Sequence, residues 1–267
     1  MEQRGDSGSL AEGLTWLGHA TVRIEIDGVA ILTDPVLRSR IGPLRRAALH
    51  PDPRTWEGID VALISHLHHD HLDVASLRLL GPNTRLVVPA GAGRLVERFG
   101  FRAVTELAEG DTMSFGPLSV TATHAAHSGF RPPVGPHASA LGYVIAGSRS
   151  VYFAGDTGLF PRMGALPPVD VALLPVGGWG PTLRGGHMDP RHAAEALRLI
   201  RPRLAVPVHW GTFWPIGLRG IRPRRFSGPG AEFAVRAAHA APAVAVRVLE
   251  PGGPVRAVGA NASPPLA

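Results

Sequence analysis

The chain has no cysteine and no lysine, carries little charge, and holds no long apolar run. Each absence excludes something. Without cysteine there can be no disulfide, thiolate metal site or cysteine nucleophile, so a bound metal must sit on nitrogen and oxygen. No stretch reaches the roughly 20 apolar residues that a spanning helix needs. Met1–Gly13 lacks the apolar run behind basic residues that marks a cleaved signal, so the cytoplasm is the default compartment. Charged residues make up 18% of the chain and hydrophobic ones 45%, which argues for a substantial core and against general disorder.

With lysine absent, all 27 basic residues are arginine, and the net charge is +6. An arginine-only chain rich in Ala, Gly and Pro reflects coding bias more often than a chosen partner. A preference for anionic substrates is the alternative. Arg38, Arg40, Arg45, Arg46 and Arg54 fall in one stretch, and Arg219, Arg222, Arg224 and Arg225 in another.

At 267 residues the chain suits one α/β domain, and its 33 Gly and 26 Pro suit many tight turns. Residues 1–13 and 253–267 read as flexible termini around a single domain of 14–252. Thr21–Asp27 and Val29–Asp34 flank Asp27-Gly28 and form a hairpin signal. Val61–His66, Arg85–Pro89, Val151–Asp156, Val169–Val176 and Leu204–His209 read as strands buried on both faces. Leu118–His124, Ala140–Ala146 and Ala243–Leu249 add further strands. Helices are expected at Leu72–Leu80, Gly93–Phe99, Pro190–Ile200 and Ala231–Ala240, the third capped by Asp189 with Pro190 at its first position. No repeat of fixed period is visible, but there are two strand-rich halves, with a break expected near residues 125–140.

Several buried runs end in a polar residue: Asp34, His66, Asp156 and His209. Polar groups there are costly unless paired or bound to metal. The densest signal is Ser65–Asp73, S-H-L-H-H-D-H-L-D, which contains His-x-His-x-Asp-His as His66, His68, Asp70 and His71. Four ligand-type side chains on one turn, after a strand and before a helix, can point to one place. A histidine-rich surface loop is the bland alternative, and the flanking elements weigh against it. Imidazole and carboxylate suit Zn²⁺, with Mn²⁺ or Fe²⁺ as alternatives. His127, Asp156 and His209 follow in the chain; each alone is weak evidence, and together they complete a ligand set. His69 reads as a bystander, and histidines 50, 137, 192 and 239 as surface residues.

In these motifs the sequence resembles the metallo-β-lactamase superfamily. It is most similar to the branch that includes L-ascorbate-6-phosphate lactonase and N-acyl-phosphatidylethanolamine-hydrolysing phospholipase D. The segments that carry the likeness are W-L-G-H-A-T-V (16–22), I-L-T-D-P-V (31–36), S-H-L-H-H-D-H (65–71), F-A-G-D-T (153–157), H-M-D-P (187–190) and V-P-V-H-W-G-T-F (206–213). The resemblance implies a four-layer αββα sandwich, two mixed sheets flanked by helices, with metals at one edge. It implies two divalent ions: one on His66, His68 and His127, the other on Asp70, His71 and His209, with Asp156 between them. His124 competes with His127 for its place; the small residue and turn that follow, Ser128-Gly129, favour His127.

The resemblance also implies hydrolysis by a hydroxide held between two metals, acting on a phosphodiester, phosphoester or lactone. Asp70 and His187 are the candidate catalytic residues, with His187 facing the cleft as proton donor or substrate contact. Asp34, His19 and Trp179 are candidates for orienting ligands or touching substrate. Asp34 reads equally well as a turn cap before Pro35, and His19 as structural. The two arginine stretches, with Trp179, Phe213 and Trp214, are candidate loops over the cleft. The expected partner is a small anionic or lipid-like ester, and a homo-oligomer is allowed. A metal-dependent nuclease is the second reading, since a pI near 11.1 suits a polyanion, although no basic tail or RNA-gripping domain is evident. A non-catalytic metal- or ligand-binding protein is the third.

Overall fold

Alternating apolar runs close into two large sheets, which the chain builds one after the other. The computed structural model describes residues 10, 12–81, 83–179, 183, 185–218, 220–221 and 223–252. The expected tails at 1–9 and 253–267, and Arg219 and Arg222, lie outside them. The chain opens with β1 (Leu14–Gly18), β2 (Thr21–Ile26) and β3 (Val29–Thr33), then the short β4 (Arg40–Ile41) and β5 (Leu44–Arg46). Next come β6 (Val61–Leu63), α1 (Val74–Leu79), β7 (Arg85–Pro89), α2 (Gly93–Glu97) and β8 (Val104–Leu107). The second half supplies β9 (Thr112–Phe115), β10 (Leu118–His124), β11 (Leu141–Ala146), β12 (Ser150–Phe153) and β13 (Val171–Pro175). It continues with α3 (Pro190–Ile200), β14 (Leu204–Val208), β15 (Phe213–Pro215), α4 (Arg224–Ser227), α5 (Pro229–Ala240) and β16 (Ala245–Val246).

The first sheet runs β1-β2-β3-β6-β7-β8 and the second β16-β14-β13-β12-β11-β10-β9, with β15-β5-β4 a small third. Each large sheet is antiparallel at one end and parallel at the other. Strand periodicity divides single strands between two cores. In β6, Val61 and Leu63 face the core between the sheets, while Ala62 and the following Ile64 join Leu72 and Leu77 and α2's Val96 outside. On the far side, Ala193, Leu197 and Ile200 of α3 and Phe233 and Ala237 of α5 cover the second sheet. The layers are therefore helix, sheet, sheet, helix. Asp73 caps α1 by accepting from the Ser76 amide, and Asp189 caps α3 by accepting from the His192 amide at 2.8 Å.

The division between halves falls at residues 108–111, between β8 and β9, and not near 125–140. Pro and Gly at 129–136 suggested a linker, but the segment is an excursion between antiparallel neighbours β10 and β11, where His124 pairs with Leu141. β9 alternates exposed and half-buried residues at a sheet edge, so its apolar signal is weak. The last expected strand, Ala243–Leu249, shrinks to Ala245–Val246 on the opposite edge, where only β14 offers it bonds.

Three of the five arginines in the first stretch, Arg38, Arg46 and Arg54, bond within the scaffold, while Arg40 and Arg45 are exposed. Arg38 makes a forked pair with Asp73 at 2.8 and 2.7 Å, and Arg54 pairs with Asp52. Arg46 is buried, lies over the Phe213 ring, and donates to the carbonyls of Leu17, Val36 and Arg38. Phe213 and Trp214 are buried in β15 and are likewise scaffold. Burial lowers the Arg46 pKa to about 10. Its bonds tie the turn after β1 to the segment after β3, the two places that supply His19 and Asp34. Arg46→Ala leaves buried carbonyls without donors, each worth about 1–3 kcal/mol. A loss of about 3 kcal/mol or more is expected, read from urea unfolding of the metal-free protein.

Candidate metal centre

Strand ends deliver the polar residues to one edge. Asp34 follows β3, Ser65 and His66 follow β6, Asp156 follows β12 and His209 follows β14. These are carboxyl ends of mostly parallel strands, where α/β folds place their ligands. His19 comes from the β1–β2 turn, His127 from the segment after β10, and His187 from the segment before α3. His19, Asp34 and His209 have φ of 54°, 34° and 63°, a region that non-glycine residues rarely enter and that clusters at functional sites. Close packing fixes two glycines beside them. A Cβ on Gly155, at φ +61°, would lie 2.6 Å from the Ser65 Cβ, and one on Gly186, at φ +83°, would lie 3.0 Å from His127 Nδ1.

His66 Nε2, His68 Nδ1 and His127 Nε2 meet in one cluster, His68 lying 2.9 Å from His66 and 3.2 Å from His127. A second cluster joins Asp70, His71 and His209, with the two histidine Nε2 atoms 3.2 Å apart. Asp156 lies between: Oδ2 is 3.1 Å from His71 Nε2 and Oδ1 is 3.2 Å from His209 Nε2.

The outward contacts fix which ring nitrogens carry protons. His71 Nδ1 donates to Asp34 at 2.6 Å, His127 Nδ1 to the Gly186 carbonyl at 2.8 Å, and His209 Nδ1 to the Gly177 carbonyl at 3.0 Å. The Ser65 hydroxyl donates to Asp34, so its oxygen accepts from His66 Nδ1. In neutral rings the inward Nε2 atoms of His66, His127 and His209 then present lone pairs, free to bind a cation. Buried Asp156 Oδ1 makes no hydrogen bond. These donors fit divalent ions: nitrogen and oxygen ligands, outward N–H groups anchored, and an unbonded carboxylate oxygen between the clusters.

Burial lowers the pKa of His66 and His209 well below the usual histidine value, moves His68 to about 4, and lowers His127. Burial opposes ionisation of Asp156 and Asp70 too. It is outweighed by His209 and His71 around Asp156, and by His71 and His19 around Asp70, so both carboxyls stay far below their ordinary range. His71 is the opposite case. Burial is its largest single influence, yet Asp156, Asp34 and Asp70 together push its pKa well upward. Near pH 7 the clusters thus hold four neutral imidazoles and ionised carboxylates, the forms that bind metal, with His71 the one ring whose proton a metal would displace.

Six of the seven residues expected to bind metal form these two clusters, and the seventh, Asp156, lies between them. His187 joins them, Nε2 lying 3.2 Å from Asp156 Oδ2 with its side chain 20% exposed. Asp34 contacts His71 and Ser65 rather than serving only as a turn cap. His19 Nε2 donates to Asp70 Oδ2 at 2.9 Å, and its ring packs 4.0 Å from that of His209. His124 points elsewhere, to Glu109 at 2.9 Å. Trp179 is exposed on the loop after β13; its neighbour Gly178 approaches His209. Ser65 and the Gly177 and Gly186 carbonyls escaped the sequence reading. The serine inside S-H-x-H was a usable signal, whereas the carbonyls had none.

Two mixed sheets with helices outside and a His/Asp centre on their shared edge define the metallo-β-lactamase fold. A model described as a beta-lactamase superfamily domain matches residues 30–210, and the chain belongs to that superfamily. It is 36% identical over 234 residues to N-acyl-phosphatidylethanolamine-hydrolyzing phospholipase D 1 of Caenorhabditis elegans, covering 76% of this chain and 64% of that protein's length. A metal-dependent hydrolase of Methanopyrus kandleri is 37% identical over 210 residues, 76% of this chain and 86% of that one. The solved metallo hydrolase of Ignicoccus hospitalis superposes with a TM-score of 0.71 at 27% identity, covering 91% and 96% of the two chains. The chain is thus a member of the superfamily's metal-dependent hydrolases.

Two outcomes follow for this centre. Asp34→Asn is expected to weaken metal binding about 10–100-fold, measured by competition with a chelating dye. Depressed histidines take up protons in the unfolded chain before the folded one, so they cost stability as pH falls from about 6.5 to about 4. His71 contributes in the opposite direction, losing its stabilising effect as pH rises. The four depressed rings outnumber it, and urea midpoints of the metal-free protein should fall steadily across that window.

Proposed function

We propose that the chain hydrolyses an anionic ester, a phosphodiester, phosphoester or lactone, at a centre of two divalent ions. The observation that carries this is the set of inward-facing imidazole nitrogens gathered on either side of Asp156. His66, His68 and His127 would hold one ion, Asp70, His71 and His209 the other, with Asp156 shared. When bound, such a pair supplies Lewis acidity and brings the pKa of a coordinated water toward 7. Zn²⁺ is the first expectation for this donor set, with Mn²⁺ or Fe²⁺ as alternatives.

The chain's own groups divide the remaining work. Asp70 and Asp156 are the only carboxylates among the seven, so two 2+ ions leave the centre net positive and selective for negative charge. His19 and Asp34 hold Asp70 and His71 from behind. His187, the partly exposed histidine beside Asp156, is placed to hand a proton to the departing oxygen or to grip the substrate. The nematode phospholipase favours the phosphodiester within this class, although the chain spans only 64% of that protein. The nuclease reading draws less support, because several arginines already face carboxylates: Arg38 with Asp73, Arg162 with Glu109 and Arg203 with Asp170. Among the described residues, no helix is long and apolar enough to cross a membrane.

The test is metal analysis with a panel of bis-p-nitrophenyl phosphate, p-nitrophenyl phosphate, a lactone and an RNA oligomer. About two ions per chain and turnover of an ester are expected. Asp70→Ala should abolish activity, and His187→Asn should lower kcat about 10²–10⁴-fold with metal content unchanged. Less than one ion per chain, and no cleavage after Zn²⁺ or Mn²⁺ loading, would leave the non-catalytic reading standing.

A further inference from the structure

Residues 130–137 are exposed or half-exposed with one exception: Arg131, at 9% exposure. The segment closes on itself around that side chain. The Arg131 amide donates to the Pro136 carbonyl, the Gly135 amide donates back to the Arg131 carbonyl at 2.8 Å, and Phe130 pairs with His137. A Cβ on Gly135 would stand 2.7 Å from the Arg131 Cβ. So tight a turn directs the guanidinium inward, where burial lowers its pKa. No carboxylate bonds it there. Arg131 Nη1 instead donates to the carbonyls of Leu67, at 2.5 Å, and Leu72, at 3.2 Å, which bracket the turn from His68 to His71. Nη2 donates to His69 Nδ1 at 3.0 Å, and His69 Nε2 donates back to the Pro132 carbonyl at 2.9 Å.

These four bonds join the segment carrying His127 to the turn carrying His68. We propose that Arg131 and His69 are positioning residues that set the distance between His127 and the His66–His68 pair, and so the affinity of this three-histidine cluster for a divalent ion. Asp70 and His71 of the second cluster ride on the same turn, but each member of that cluster also has a holder of its own: His71 is held by Asp34, His209 by Gly177 and Asp70 by His19. The histidine that appeared idle in the motif therefore acts through the arginine. A lysine at 131 keeps the charge but lacks the planar fork that serves three acceptors.

The proposal rests on the clusters being metal sites, and the experiment separates the two. Co²⁺ alone is titrated, by its visible absorption, into the full chain carrying His209→Ala, which spares the three-histidine cluster, or His127→Ala, which spares the other. Arg131→Lys and, separately, the exposed His69→Phe are then added to each. On the His209→Ala background each should weaken Co²⁺ about tenfold and alter the absorption bands; on the His127→Ala background the weakening should be distinctly smaller. Unchanged affinity on the first background, or equal weakening on both, overturns the clasp. A wild-type chain that takes up no Co²⁺ overturns instead the reading of the clusters as metal sites.

Discussion

One buried carboxylate organises this centre. Asp34 is fully enclosed at the end of β3 and accepts from the Ser65 amide, the Ser65 hydroxyl and His71 Nδ1. Burial pushes its pKa up, and these donors and the His71 charge push it back. An anion in that position must recruit donors or become neutral. The donors it recruits belong to the first residues beyond β6 and to the turn that follows. Through His71 directly, and through Ser65 to His66, it orients one ring in each cluster. The positive φ at Asp34 is the backbone strain that accompanies this placement, and Arg46 holds the segment that bears it.

Around that anchor lie Asp70, Asp156 and six inward-facing histidines, one of which is His187. Evaluated with protons alone, the balance is awkward: three carboxylates share His71 as their main cation, while four neighbouring rings resist protonation. Such local conflict is where a foldable sequence departs from consistency, and the departure marks function. A divalent ion resolves it by supplying charge without occupying a ring nitrogen with a proton. The outward N–H bonds to Asp34, Ser65, Gly177 and Gly186 already hold the rings in the required tautomers, so little reorganisation accompanies binding.

Much of this was legible in the sequence because ligand chemistry and strand periodicity leave strong local marks. His66, His68, Asp70 and His71 lie within six positions, and Asp34, Asp156 and His209 end apolar runs where a polar residue is costly. The reading was poorest where position depends on distant partners. β9 occupies a sheet edge with too few apolar residues to announce it, and β16, expected over Ala243–Leu249, keeps only Ala245–Val246 at the opposite edge. The segment at 129–136 carries the turn residues of a linker, yet it returns to the same sheet and brings His127 with it. His124 and His127 are chemically alike in sequence, and only Glu109 beside one and Gly186 beside the other separate them. Arg46 read as part of a loop over the cleft and Arg131 carried no signal, because an arginine's role is set by the carbonyls it meets, and these lie as far as 29 and 64 residues away.

Arginine in this chain consequently carries two unrelated burdens, and its bulk count misleads about both. Exposed guanidinium groups pair with Asp52, Glu109 and Asp170 and are screened by solvent, contributing little to the field at the centre. Buried ones act as cross-links between main-chain carbonyls, a task for which five donors in a rigid fork suit arginine and not lysine. Under the proposed function, selectivity for negative charge belongs to the centre itself, where two 2+ ions would outweigh two carboxylates. Under the same proposal, the loops leaving that edge, with Leu159 and Trp179 exposed on them, would meet the rest of the substrate.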